Sequence, residues 1–141
     1  TVIEFKNGDL LLNMRNYTDD RLRKLSISKD QGISWGDIYS DSNLIEPICQ
    51  ASMINIRRPM KKEIIAFSNP NSKTNREKMT IKFSFDNTET WAKSKLIHDG
   101  PSAYSNLIQI SNSEIGCLFE GGQKSAYEGI AFKKINIKNL R

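Results

Sequence analysis

The sequence is poor in the residues that most often carry chemistry. Its 141 residues contain one histidine, His98, and two cysteines, Cys49 and Cys117. Two thiols do not make a disulfide framework; they are expected as buried free thiols on strands, with pairing the alternative. A lone histidine without cysteines at metal-ligand spacing argues against a zinc site. No apolar run approaches the roughly twenty residues of a membrane span. No signal peptide is visible, and since the chain opens on Thr1 it is expected to begin inside a longer protein. Basic residues outnumber acidic ones by 21 to 16, a net charge of +5. They gather no further than the pairs Arg57-Arg58, Lys61-Lys62 and Lys133-Lys134. A stripe of Lys and Arg with stacking aromatics is absent, so nucleic acid is not expected as a partner.

No segment carries a helical period longer than two turns. Short alternating segments punctuated by turn residues take its place. Residues 2–5, the turn Lys6-Asn7-Gly8-Asp9 and residues 10–14 read as a β-hairpin turning at Asn7-Gly8. Further strands are predicted at 21–28, 36–40, 49–56, 63–68, 78–84, 92–97, 105–110, 115–119 and 128–136. A short terminal turn is predicted at 138–141. The class is all-β.

One motif occurs twice. Ser28-Lys29-Asp30-Gln31-Gly32-Ile33-Ser34-Trp35 recurs 56 residues later as Ser84-Phe85-Asp86-Asn87-Thr88-Glu89-Thr90-Trp91. A repeat of about fifty residues with four strands per unit is the signature of a propeller blade. The aspartate is expected to accept backbone N–H groups of the turn, and the tryptophan to pack against the neighbouring sheet. The motif resembles the Asp-box repeats of sialidases. Thr88, standing where glycine is usual, is expected to distort the second turn. The resemblance implies the C-terminal half of a six-bladed β-propeller in about three four-stranded blades. Their approximate bounds are 1–40, 49–97 and 104–141, the third short of its fourth strand, with no second domain.

Antiparallel topology sorts residues between the two ends of such a propeller. Arg15 after the second strand, Gln50 opening the second blade, Arg76 before that blade's third strand, Tyr104 opening the third blade and Glu120 ending its second strand all fall at one rim. The Asp boxes fall at the other. The stretches "NGDLLLNMR", "SNP" through Arg76, "GPSAYSNL" and "CLFEGG" are each similar to a sialidase motif. By that resemblance Arg15 and Arg76 are the second and third arms of an arginine triad that clamps the substrate carboxylate. Tyr104 is the nucleophile, and Glu120 supports the first arginine. Gln50 contacts the sugar or only hydrogen-bonds a loop. His98 is expected as a loop residue.

The residue types suit an acidic sugar. Guanidinium forks bind a carboxylate bidentately and stay charged. A carboxylate on the anomeric carbon repels an acidic nucleophile but not a neutral tyrosine; sialidases are an exception to the two-carboxylate pattern of glycosidases. A phenol needs a neighbouring base. The resemblance implies a glutamate for that task just before Thr1; Glu4 is the nearest in the chain, near the hairpin turn. The first arginine and an acid/base aspartate are expected in the N-terminal half of the propeller, the expected partner of this chain. The implied activity is retaining exo-α-sialidase hydrolysis of sialylated glycans, without metal or organic cofactor, in a secreted, periplasmic or cell-surface parent protein. The alternatives are a non-catalytic propeller that binds glycans or proteins, and a trans-sialidase.

Overall fold

The computed structural model describes residues 1–138 and 140, and its regular elements are all β-strands. Four of them, β1 (Val2–Glu4), β2 (Leu10–Met14), β3 (Leu22–Ser28) and β4 (Tyr39–Ile45), form an antiparallel sheet in chain order. The other six are β5 (Ser52–Ile56), β6 (Ile64–Pro70), β7 (Glu77–Ser84), β8 (Lys93–Gln109), β9 (Glu114–Gly121) and β10 (Gly129–Asn136), again antiparallel and in order. The chain is therefore all-β, as its alternation implies. Lys138 stands in a turn, while Asn139 and Arg141 of the predicted terminal turn lie outside the described residues.

β8 serves two units. Its first part pairs with β7, from Phe83↔Lys93 to Glu77↔Pro101. Its second part pairs with β9, from Ser102↔Gly121 to Gln109↔Ile115. Two four-stranded blades and a three-stranded one result, joined as in a β-propeller. The separate strands expected at 92–97 and 105–110 are thus one. The segment between them stays extended because its backbone is held on both sides: Ser102 N–H donates to Arg76 O at 2.8 Å, and Gly122 N–H to Pro101 O at 3.1 Å. His98 lies in this strand rather than in a loop. Its ring meets Gly122 O at 3.1 Å and stands 5.6 Å from Phe119.

Two other boundaries move for similar reasons. The strand expected at 36–40 begins at Tyr39, because Gly36 is held in the preceding turn by Ile27 O and Ser26 Oγ. β5 begins at Ser52 rather than 49, because the residues before it are bonded to the candidate site. Cys49 therefore precedes the strand, whereas Cys117 lies in β9. Both cysteines are buried and free.

The blades pack face to face. Every residue of β6 is buried, because the strand has a neighbouring blade on either side. Ile65 and Phe67 join Leu11, Leu25 and Leu44 of the first sheet in one cluster; Ile64 and Ala66 join Leu107, Ile115 and Cys117 in another. Alternate side chains of a strand point to opposite faces, so one apolar run fills both interfaces. The outward face of the third unit keeps Ile108, Leu118, Ile130 and Phe132 exposed.

The two Asp boxes have one geometry. Asp30 Oδ1 accepts Ser34 N–H at 2.8 Å and Ser28 Oγ–H at 2.8 Å, while Ser28 Oγ accepts Gly32 N–H at 2.8 Å. In the second copy Asp86 Oδ1 accepts Thr90 N–H at 2.9 Å and Ser84 Oγ–H at 2.8 Å, while Ser84 Oγ accepts Thr88 N–H at 2.9 Å. Thr88 does not distort the turn. It follows Gly32 into the left-handed region, φ 72° against 89°, and the strain stays local. Trp91 packs 5.9 Å from Phe67 and donates to Asp41 Oδ2 of the first sheet at 2.8 Å.

Two predictions follow from the boxes. A β-branched residue at positive φ is strained, so Thr88→Gly is expected to raise unfolding free energy by about 1 kcal/mol, measured by denaturant titration. The Ser34 hydroxyl and N–H hold the Asp30 carboxyl down at about 2, from an ordinary 3.8. Its stabilisation is complete above the ordinary value and is lost as pH falls through the folded one. Asp30→Asn should therefore lower the melting temperature at neutral pH, with the gap to wild type narrowing as pH falls toward 2.

Candidate functional site

The rim opposite the Asp boxes gathers the predicted residues. Arg15 follows β2, is exposed, and stacks its guanidinium 5.0 Å over the Tyr17 ring. Arg76 precedes β7 and is half-buried. Its Nη2 donates to Ile48 O at 3.0 Å and its Nη1 to the Tyr127 hydroxyl at 2.6 Å. Burial opposes its charged form, but Cys49 and Tyr127 nearby hold its pKa above the ordinary arginine value. Its Cζ lies 5.8 Å from the centre of the Tyr104 ring.

Tyr104 stands in the second part of β8, 43% exposed. Its N–H donates to Glu120 Oε2 of β9 at 3.1 Å. Gln50 bonds the next residue like a strand partner: its Oε1 accepts Ser105 N–H at 2.9 Å and its Nε2 donates to Ser105 O at 3.0 Å. Gln50, Tyr104, Glu120, Leu118 and Ile130 are among the residues that line a shallow pocket of about 250 Å³. A larger cleft, about 870 Å³, lies at the Asp-box end between Lys6, residues 57–63 and Asp86, and contains none of these side chains.

Cys49 is buried between Ile48, whose carbonyl holds Arg76, and Gln50, whose amide bonds Ser105. Burial pushes its thiol up; Arg76 and Arg15 pull it down and Glu120 pushes it further up. Direct contacts among the described residues join Arg76, Tyr104 and Glu120, and Gln50 through Ser105, while Arg15 contacts Tyr17. Glu4 is not among them: it pairs with Arg57 at 3.3 Å, at the end of β1 that leads into the hairpin. Among the described residues no group of three or more His, Cys, Asp or Glu comes together to hold a metal ion.

Beneath the rim is an ion pair that the sequence reading missed. Arg23 and Glu46 are 2% and 0% exposed and meet at 2.7 Å. Burial lowers the pKa of Arg23 and Glu46 opposes that fall. Arg23 also donates from Nε to Asn13 Oδ1 at 2.7 Å and from Nη1 to Cys49 O at 2.8 Å. Glu46 Oε1 accepts Asn16 N–H at 2.6 Å, and its Oε2 accepts Cys49 N–H at 3.4 Å. A signal existed: Arg23 alternates with Leu25 on the inward face of β3, where a charge demands a buried partner.

Residues 1–117 match the family model of the BNR repeat-like domain. The chain belongs to this family. As a BNR repeat-like chain it is 31% identical to a sialidase of Micromonospora viridifaciens over 96% of its own length and 21% of the relative's. It is 32% identical to a sialidase of Bacteroides fragilis, over 99% and 26%. Among solved structures, a Hadza microbial sialidase is 33% identical with a TM-score of 0.84, covering 97% of this chain and 27% of that one. The chain thus spans about a quarter of the length of the relatives it matches.

The buried pair yields the prediction for this BNR repeat-like chain. Glu46→Gln removes one charge and leaves the Arg23 guanidinium uncompensated at 2% exposure. Breaking such a pair from one side is expected to cost about 3–5 kcal/mol of unfolding free energy, read by denaturant titration.

Proposed function

We propose that this chain is the C-terminal, nucleophile-bearing part of a retaining exo-α-sialidase that removes terminal sialic acid from glycoconjugates. One observation carries the reading: the Arg76 guanidinium stands 5.8 Å from the centre of the Tyr104 ring, and Tyr104 N–H donates to Glu120 Oε2 at 3.1 Å. Arg15 and Arg76 bind the sugar carboxylate. Tyr104 Oη attacks the anomeric carbon as the aglycone oxygen departs, forming a sialyl-tyrosine bond. The phenol proton passes to a glutamate and the aglycone takes a proton from an aspartate, both supplied by the rest of the parent protein. The aspartate then takes a proton from water, whose oxygen attacks the anomeric carbon and cleaves the sialyl-tyrosine bond, while the glutamate returns its proton to the phenolate; sialic acid leaves and both carboxyls are back in their starting states. Glu120, now bonded to Tyr104 N–H, supports a further arginine from the same source, and Gln50 fixes the strand of Tyr104 through Ser105.

The exposed apolar face of Ile108, Leu118, Ile130 and Phe132 supports this division of labour. A contiguous apolar face on a soluble protein marks a contact surface, and a further propeller blade is the occupant this fold supplies. On this reading the parent protein is secreted, periplasmic or at the cell surface, where sialylated glycans are displayed. In the full-length polypeptide, Tyr104→Phe should lower kcat on a fluorogenic sialoside by on the order of a hundred-fold or more; near-wild-type turnover would count decisively against the assignment. The 141-residue chain alone should give no measurable turnover on the same substrate.

A further inference from the structure

Tyr127 enters none of the chemistry above, yet its hydroxyl oxygen is 2.6 Å from Arg76 Nη1. The loop that carries it is built from its own contacts. Glu128 caps it, accepting Gln123 N–H at 3.0 Å, Lys124 N–H at 2.7 Å and Ser125 N–H at 2.7 Å. These backbone donors, Gln123 first, hold the Glu128 carboxyl below the ordinary glutamate range. Ser125 Oγ accepts Tyr127 N–H at 3.2 Å. Next to the tyrosine, Ala126 is 6% exposed and packs with Cys49 and Ala103 under the site. Gly122 starts the loop where a side chain has no room: a Cβ there would lie 2.3 Å from Ser125 O. So the tyrosine is 65% exposed, but the backbone on either side of it is fixed.

What the hydroxyl does for Arg76 follows from its chemistry. A guanidinium has five N–H donors in one plane. Ile48 O takes one from Nη2 and Tyr127 Oη one from Nη1. Two partners on different terminal nitrogens fix both the swing and the tilt of that plane. Both are neutral oxygens, so neither cancels the charge, and each terminal nitrogen keeps one N–H. A carboxylate partner would fix the plane equally well but would quench the charge the ligand needs. Among the described residues no other group hydrogen-bonds the Tyr127 hydroxyl.

We propose that Tyr127 is a positioning residue: the loop 122–128 presents its hydroxyl so that Arg76 is preorganised, with its charge intact, for a ligand carboxylate. The inference rests on the reading of Arg76 as a carboxylate clamp. Preorganised donors gain affinity because the ordering is done before the ligand arrives.

The test uses the full-length polypeptide and two probes, the 2,3-didehydro analogue of sialic acid as the free acid and as its methyl ester. A hydrogen bond to a charged group is worth enough that Tyr127→Phe should raise the Kd of the acid by roughly ten-fold. The ester, which lacks the charge Arg76 reads, should bind as before. Turnover should show the same division, with KM for a sialoside raised and kcat changed by less than about three-fold. Gly122→Ala, which displaces the loop without touching the hydroxyl, should reproduce the loss, and the double variant should lose no more than either alone. Unchanged affinity for the acid in Tyr127→Phe would overturn the proposal, as would equal weakening of acid and ester. Arg76→Lys separates the two readings. If it weakens the acid selectively while Tyr127→Phe does not, the clamp stands and the positioning role falls. If it does not weaken the acid selectively, both fall.

Discussion

Glu46 sits under the candidate site with no exposed surface and three donors on its two oxygens: Asn16 N–H, Arg23 Nη1–H and Cys49 N–H. Removing two charges from water costs several kcal/mol per ion, and mutual attraction repays it only when the remaining hydrogen-bonding capacity is also filled. Here the filling is done by the backbone of the site. Asn16 adjoins Arg15. Cys49 adjoins Ile48, whose carbonyl holds Arg76, and Gln50, whose amide holds the strand of Tyr104. Three site residues from three blade units therefore inherit their positions from one carboxylate. Ile48 adopts φ 54°, a conformation that costs a β-branched residue about 1–3 kcal/mol. It persists because the bonds on either side of it leave the chain no alternative.

The electrostatics above the pair differ from those below it. Arg23 has a charged partner in the core, and its charge is spent on structure. Arg15 and Arg76 have no salt bridge among the described residues: one stacks on Tyr17 and the other binds a phenol and a carbonyl. Three arginines within one cluster thus divide by partner type. The one paired to a carboxylate is scaffold, and the two at the rim hold positive charge toward solvent where an anion can reach it.

How far the sequence reaches depends on what each residue responds to. Strands were legible because alternation follows directly from the pleat, and β2, β3, β6, β7, β9 and β10 lie where it puts them, within a residue or two. The Asp boxes were legible because their bonds run between residues at most four apart. Rim residues such as Arg15 and Tyr104 could be grouped because strand direction alternates whatever the packing. The partnership of Arg23 with Glu46, 23 residues away, needed the register of β3 with β4 and the loop beyond it. Tyr127 on Arg76, 51 residues away, needed three strands in place. β4 was misplaced because its sequence, YSDSNLI, belongs to a largely exposed edge strand, where side chains are not forced to alternate.

β8 runs 17 residues without a break, and Tyr104 lies beyond the point where its partner changes from β7 to β9. Its depth at the rim is therefore set by counting along one rod clamped at both ends. A residue inserted between His98 and Tyr104 could not be absorbed by a loop. It would have to enlarge one of the irregularities that already flank this point, opposite Glu77–Met79 and between Ser102 and Ser105, or shift one of the two ladders. A length change in the hairpin tip at 110–113, whose hydrogen bonds stay within the third unit, leaves the spacing between His98 and Tyr104 untouched. The third unit can thus vary at that tip, while the step from the β7 ladder to the tyrosine is held by pairing on both sides.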